Sequence, residues 1–371
     1  MNEDKASRYH RLRRRALILG TVGAAALLIM LVVSGASAST RGLASAAAGG
    51  SFPATILIYV ALLVLLLEAT QLPLSYYLGV TLERRYGLST ETTGSWWADH
   101  FKAIAVGFVF AAGGALIVGA LIRWTPDTWW AVAAVAFSAV MIVLVQLAPV
   151  LLLPMFYEFE PLDRPGLRDR LIALADRAGA NVLGVFEWRL GDKTRKANAA
   201  LAGIGRTRRI LISDTLLAEH SDEEIEVILA HELSHHVHHD IWTGLAVEAA
   251  LMTLGFYLAD QVMTWSVGRF GITAKWDPAA LPILVLAGGA VSIVLLPLAN
   301  ALSRAHERRA DRDALEMTNN ATAFMSAMKR LGAQNLAEER PSALVQLLFY
   351  THPPITSRIE AAAEWLARRP A

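Results

Sequence analysis

Five histidines fall within nine positions of the segment LAHELSHHVHHD, residues 229–240. Residues four apart on a helix share a face about 6 Å apart along the axis, a spacing that lets two imidazoles bind one zinc ion at about 2 Å each. His231 and His235 have it. Glu232, turned by about 100° from His231, can reach a water at the metal without being a ligand, the H-E-x-x-H arrangement. His235 and His239 are also four apart, but His236 follows His235, so that pairing offers no carboxylate to take a proton from water. His238 lies near His231's face but about 10 Å further along the axis, too far to share an ion. His236, His238 and His239 are expected at an interface or in solvent.

A chance H-E-x-x-H has odds on the order of one in a hundred in a chain of this length and composition, so a metal site needs a third ligand. NALSRAHERRADRDAL, residues 300–315, supplies one. Read as a helix, it sets Asn300, Ser303, Glu307, Asp311 and Ala314 on one small, polar stripe. Arg308, Arg309 and Arg312 fall largely outside that stripe, and His306 points to another face. Depth is the test. His235 precedes Trp242 by about 10 Å of helix and Glu307 follows Ala301 by about 9 Å, so both stand at one level beyond neighbouring apolar runs. Three ligands leave a fourth position for water, the pattern of a catalytic zinc. Such an ion lowers the pKa of water towards about 7 and polarises a peptide carbonyl. Glu232 then accepts the proton and delivers it to the leaving amine. Asp311, one turn beyond Glu307, either orients a ligand histidine through its second ring N–H or is a plain helix-surface residue.

The elements that must hold these groups are apolar. Of 371 residues, 54% are hydrophobic and 18% charged, against about a quarter charged in soluble domains. Runs at 16–34, 54–79, 102–122, 129–153, 243–265 and 281–301 are each long enough to span a bilayer. Trp124, Trp129, Trp130, Trp242, Trp265 and Trp276 are placed as an interfacial belt. The N-terminal tail, residues 1–15, carries Lys5, Arg8, Arg11, Arg13, Arg14 and Arg15, whereas 35–53 has only Arg41. The positive-inside rule therefore puts the N-terminus in the cytoplasm, and with it residues 154–242 and the C-terminal segment 302–371. A basic start followed by ASA at 36–38 also fits a cleaved signal, but the apolar run is longer than most signal cores and favours a retained anchor. Residues 35–51, rich in Ala, Gly and Ser, read as a flexible external loop. Glu68 and Asp260, inside apolar runs, are costly in lipid and are expected to face the protein interior, as packing residues or cavity linings. With so few ionisable groups in the spans, a metal-transport role has little support.

Between the fourth and fifth runs, 166–178 has a helical period, while NVLGVFEWRL and RRILISDTLL read as strands with turn signals near Gly203 and Gly205. Ser221 is a natural N-cap for the histidine helix, which is expected to run unbroken into the fifth span. The fold class that follows is a mainly α polytopic membrane protein, four spans in 16–153 and two in 243–301, with a small cytoplasmic α+β, zincin-like insert carrying the H-E-x-x-H helix. There is no cysteine, so thiolate metal sites and disulfides are excluded. A net charge of +1 gives no sign of a nucleic-acid partner.

VILAHELSHH, NALSRAHERRAD and THPPITSRIEA, taken together, resemble the integral-membrane zinc metalloproteases of the type I CAAX prenyl endopeptidase family, of which the heat-shock protease HtpX is a related branch. The resemblance runs from about 151 to 363. LLPMFYEFEPLDRPGLRDRLIALADRAG and KANAALAGIGRTRRILISDTLL favour the CAAX-type branch. It implies one zinc at His231, His235 and Glu307, with Glu232 as base and Asp311 behind the ligands. It also implies that Asn198 holds the substrate backbone, that His352 and Arg358 stabilise the oxyanion, and that the spans enclose a chamber near the zinc. Ser234 stands where the family often has Gly, and NAAL where it often has NAYF. The implied partners are a peptide or protein substrate and the bilayer. The Ala- and Arg-rich, cysteine-free composition looks bacterial, which places the protein in an inner membrane, with membrane-protein quality control as the alternative task.

Overall fold

The computed structural model describes residues 4–203 and 208–368; Gly205, one of the expected turn residues, lies outside them. Among the described residues, six helices are long and apolar enough to cross a membrane. They are α1 (Lys5–Val33), α3 (Phe52–Tyr76), α5 (Thr93–Trp124), α6 (Trp129–Leu151), α10 (Asp240–Ser266) and α11 (Leu281–Thr318). The short helix α2 (Ala36–Ala47) follows α1, and α3 continues through a π-helical turn into α4 (Leu82–Arg85). In that turn Gly79 lies so close to Trp96 that a Cβ would come within 2.4 Å of the indole Nε1. Outward apolar side chains such as Val135 (73% exposed) and Val294 (72%) are what a lipid-facing surface requires.

Four expectations change. Most of the expected loop 35–51 is helix: α2 buries Ser37, whose hydroxyl donates to Ala279 O (2.7 Å) and meets Tyr59 Oη (2.6 Å). Small residues here permit close helix packing rather than flexibility. The basic tail is helical from Lys5 onward, where α1 begins, and Tyr9 is buried against Leu82, Tyr86 and Leu88. Trp129 is not interfacial but fully buried, its indole N–H donating to Asp260 Oδ1 (2.6 Å). Asp260 also accepts from Lys275 (3.0 Å), and Glu68 pairs with His100 (2.6 Å). Both acids thus face inward, as expected of charge at membrane depth.

The fourth change is at the histidine helix. α9 (Asp222–Val237) is not continuous with α10, because His239 takes φ 55°, the left-handed conformation, between them. Such a residue costs roughly 1–2 kcal/mol and ends the helix. At its other end, Ser221 and Glu224 form a reciprocal capping box, and three acids fill the first turn.

The segment between α6 and α10 folds as a four-stranded sheet, order β1-β2-β4-β3, with helices on one face. The strands are β1 (Phe159–Pro161), β2 (Gly184–Trp188), β3 (Ala199–Ala202) and β4 (Arg209–Ser213). β4 alternates: Ile210 and Ile212 point into the main core, Leu211 to the opposite face beside Trp188. RRILISDTLL is strand only to Ser213, which caps the short helix α8 (Asp214–Glu219), and β1 and β3 are additions to the two expected strands. The core continues through α7 (Pro165–Arg177) and α9 to the end of α11 and to α12 (Ala321–Gln334), with Leu167, Leu171, Ile225, Leu233, Ala314 and Phe324 all buried. Two further helices, α13 (Ala343–Phe349) and α14 (Ile355–Ala367), close the chain. α11 runs unbroken for 38 residues and carries the span out into this core.

Candidate metal centre

α9 and α11 pack side by side, joined by a Ser234 hydroxyl that is fully buried and donates to Asp313 Oδ2 (2.6 Å). The packing brings His231, His235 and Glu307 together. Their facing atoms lie close: His231 Nε2 to His235 Nε2 3.3 Å, His231 Nε2 to Glu307 Oε2 3.2 Å, and His235 Nε2 to Glu307 Oε1 3.4 Å. Ligands about 2.0–2.1 Å from a tetrahedral ion are separated by about 3.3 Å, so the three edges fit one zinc-sized cation.

The second ring nitrogens fix the tautomers. His231 Nδ1 is 3.0 Å from Asp311 Oδ1, and His235 Nδ1 is 2.9 Å from Asp240 Oδ2. Each Nδ1–H must donate to its carboxylate, leaving the Nε2 lone pairs directed at each other and at Glu307. In the deprotonated, ligating form three acceptors converge, and Glu307 Oε2 is buried with no hydrogen bond among the described residues. Burying such a set is costly unless a cation joins it. Counting only the protein's own groups, burial pulls the His231 pKa down, but the bonds to Asp311 and Glu307 raise it to about 9. His235 is likewise raised: burial opposes the shift and the bond to Glu307 drives it.

Glu232 stands beside this set, and its carboxylate forms no hydrogen bond among the described residues. Burial raises its pKa, with the charges of His231 and His235 pulling the other way. His352 reaches Glu307 Oε1 with Nε2 (3.2 Å) although its side chain is 60% exposed. Thr351 Oγ1 lies 2.8 Å from its Nδ1. A hydroxyl donating there leaves Nε2–H as a donor aimed into the site. Arg358 does not point at the same spot. Its Nε donates to Asp311 Oδ2 (2.8 Å), so it braces the carboxylate that holds His231. Asn198 is solvent-exposed just before β3, its N–H donating to Ser213 Oγ (3.0 Å) and its carbonyl accepting from Ser213 N–H (2.9 Å).

Asp240 is a further carboxylate at the centre. In a continuous helix a residue five after His235 would lie about 140° around the axis. The left-handed turn at His239 folds Asp240 back onto His235 Nδ1, and Arg309 donates to its other oxygen. His306 approaches the same carboxylate at 3.6 Å and lies outside the ligand set. His238, expected at an interface or in solvent, is exposed yet bonded to Asp313 Oδ2 (2.8 Å). An acid shortly after the H-E-x-x-H was the available signal for Asp240, but only the break gives it meaning. Deeper in the bundle, a cavity of about 530 Å³ lies among the spans, lined by apolar side chains such as Leu63, Phe110, Phe137 and Met252, with Glu248 the acid among them.

The sequence matches the model for peptidase family M48 over residues 161–366. The chain belongs to this family. Residues 2–158 match the CAAX prenyl protease N-terminal family, described as five membrane helices; here four long helices and the short α2 occupy that stretch. Among curated relatives, an uncharacterized metalloprotease, YhfN, of Bacillus subtilis is 31% identical over 82% of this chain and 72% of its own length. CAAX prenyl protease 1 of Saccharomyces cerevisiae is 26% identical, covering 82% of this chain and 71% of the yeast protein. In fold, the chain is similar to the crystal structure of S. mikatae Ste24p, with TM-score 0.86 and 22% identity over 96% of this chain and 88% of that one. This M48 protein is therefore an integral-membrane metalloendopeptidase, which implies a peptide or protein substrate and a metal.

Proposed function

We propose that this M48 protein is a zinc endopeptidase that cuts cytoplasmic or membrane-proximal peptide segments at the His231–His235–Glu307 centre. The observation that carries the reading is the closure of three ligand atoms to within 3.2–3.4 Å, beside Glu232, whose carboxylate forms no hydrogen bond among the described residues. Zinc, when bound, supplies the Lewis acid that polarises a carbonyl and makes water acidic near neutral pH.

The chain's own residues do the rest. Glu232 accepts a proton from the attacking water and returns it to the leaving amine; its burial brings its pKa toward the range where both transfers are feasible. Nε2–H of His352 donates to the carbonyl oxygen as it gains charge. Asp311, Asp240 and Arg358 keep the imidazoles oriented. The outer edge of β3, beginning at Asn198, is where an extended peptide would add as a further strand. N-terminal turns of α1 bond to the C-terminal segment beside the centre, so the basic N-terminus and the site share one side, which the positive-inside rule makes cytoplasmic. In a bacterium the membrane is the inner one.

Glu232→Gln in purified protein tests this. Zinc content should stay at one per chain while peptide cleavage falls by about 10²–10⁴. Undiminished cleavage would remove Glu232 from the reaction.

A further inference from the structure

The start of α1 lies in the helical part of the chain, far in sequence from the metal ligands, yet it is tied to the loop that carries His352. Arg14 Nη1 donates to Glu338 Oε2 (2.7 Å), with both side chains largely buried. Tyr350 Oη donates to the same oxygen (2.6 Å). One turn earlier, His10 Nε2 meets Leu336 O (2.8 Å). The loop's backbone is fixed from α11: Arg304 donates to Gln346 O (2.9 Å) and Tyr350 O (2.6 Å), and Asn300 to Leu347 O (3.2 Å). Two residues after Tyr350, His352 reaches Glu307. The loop is thus clamped at its carbonyls by α11 and at its one phenol by α1 through Glu338.

Glu338 is suited to a fixed link. Burial alone would raise its pKa, but the hydrogen bonds from Arg14 and Tyr350 hold it below the usual carboxylate range, so it stays charged. On its other flank α1 is itself braced. Glu83 of α4 takes a hydrogen bond from Tyr9 and ion pairs from Arg13 (3.8 Å) and Lys196 (2.8 Å). The abutment is therefore seated against the third-helix span and the sheet segment before it meets the loop.

We infer that Arg14, acting through Glu338 and Tyr350, positions His352 over the metal ligands, so that the first helix sets the rate of a centre it never touches. The inference rests on His352 acting at that centre, as proposed above. Arg14, Glu338 and Tyr350 are positioning residues in it: none of them meets the ligand atoms. A displacement of about 1 Å in a group that stabilises developing charge is enough to slow a reaction severely.

The experiment uses full-length protein in detergent and labelled casein as an unstructured substrate. Arg14→Glu, Glu338→Arg and Tyr350→Phe should each lower kcat by about tenfold while KM and zinc content stay within about twofold. The charge-swapped double variant Arg14→Glu/Glu338→Arg should recover most of the loss. Placed on His352→Ala, Arg14→Glu should cause no further loss. An equal loss in both backgrounds means α1 acts elsewhere and overturns the inference. If Arg14→Glu fails to fold, Tyr350→Phe decides, since it removes only a hydroxyl, and unchanged kcat there overturns it too. Full activity in His352→Ala would instead defeat the role given to His352 and take the inference with it, whereas Glu232→Gln tests the peptidase centre separately.

Discussion

The protein buries charge at both ends of its helical bundle, and the two ends do it differently. Where residues 34–51, 124–130 and 266–280 meet, each buried acid is matched by donors. Asp260 accepts from Trp129 and Lys275, and Asp277 accepts from the backbone of Thr273 and Ala279, with Arg41 at 3.6 Å. At the other end, three acceptors converge and one carboxylate oxygen has no donor. A matched set holds helices together. An unmatched one is costly for the protein by itself and stores affinity for a cation. The difference separates a structural polar cluster from a chemical one more sharply than burial does.

Removing a carboxylate from each end should break or sustain that distinction. Glu307→Ala should lose zinc and lower cleavage by more than about 10³-fold while the helical content stays, because the third ligand goes. Asp260→Asn should keep zinc and cleavage while lowering the unfolding temperature. Metal analysis and cleavage rates on both variants decide. Equal zinc loss in the two would mean that the ends are not different in kind.

Acidity separates them next. The protein's own groups hold His231 at about 9. Its proton is therefore bound below pH 9 and must leave before Nε2 can ligate a metal. Zinc affinity should rise by about tenfold per pH unit for this group and flatten above 9, making it about a hundredfold weaker at pH 7 than at the plateau. Chelator competition in detergent between pH 6 and 10 measures it. A plateau already reached near 6.5, the ordinary histidine value, would show that Asp311 and Glu307 do not hold the proton.

Asp240→Asn is a smaller test. The amide can still accept from His235 but no longer carries the charge that favours its tautomer, so zinc affinity should fall by about 10–100-fold. If affinity is unchanged, the left-handed turn at His239 is only a helix junction.

The comparison also marks what the residues alone disclosed. The length of the apolar runs gave the spans, because bilayer crossing demands length and apolarity that are written locally. Helix geometry pointed to Glu307, because depth along two helices is arithmetic on rise per residue. What stayed hidden depends on breaks and on partners far apart in the chain. Most of the loop expected at 35–51 is a helix because its small residues fit against Tyr59 and Ala279, which no local pattern records. Asp240 needed the break at His239, and a histidine at φ 55° has no sequence signature. The N-terminal arginines that predict a cytoplasmic N-terminus are also ion-pair partners: Arg14 with Glu338, Arg13 with Glu83. His352, two prolines and a threonine around it, carries no periodic signal and entered through resemblance alone.

The smallest expected effect concerns two serines, one at each end. Ser37 and Ser234 are both buried, and each donates its hydroxyl across a helix contact, to Ala279 O and to Asp313 Oδ2. If the ends differ only in their unmatched acceptors, these matched hydroxyls should behave alike. Ser37→Ala should cost about 1–2 kcal/mol through the lost hydrogen bonds. Ser234→Gly should cost a similar amount, about 1 kcal/mol for the bond and about 1 for glycine within a helix. Asp313 keeps His238 as a donor in that variant, so α9 and α11 remain paired. Zinc content should stay at one per chain in both, with cleavage within about twofold of the parent, while thermal unfolding shifts down by a few degrees. Zinc loss from Ser234→Gly but not from Ser37→Ala would show that the α9–α11 contact sets the ligand geometry as well as holding the helices. The metal end would then be tuned by its packing as well as by its acceptors.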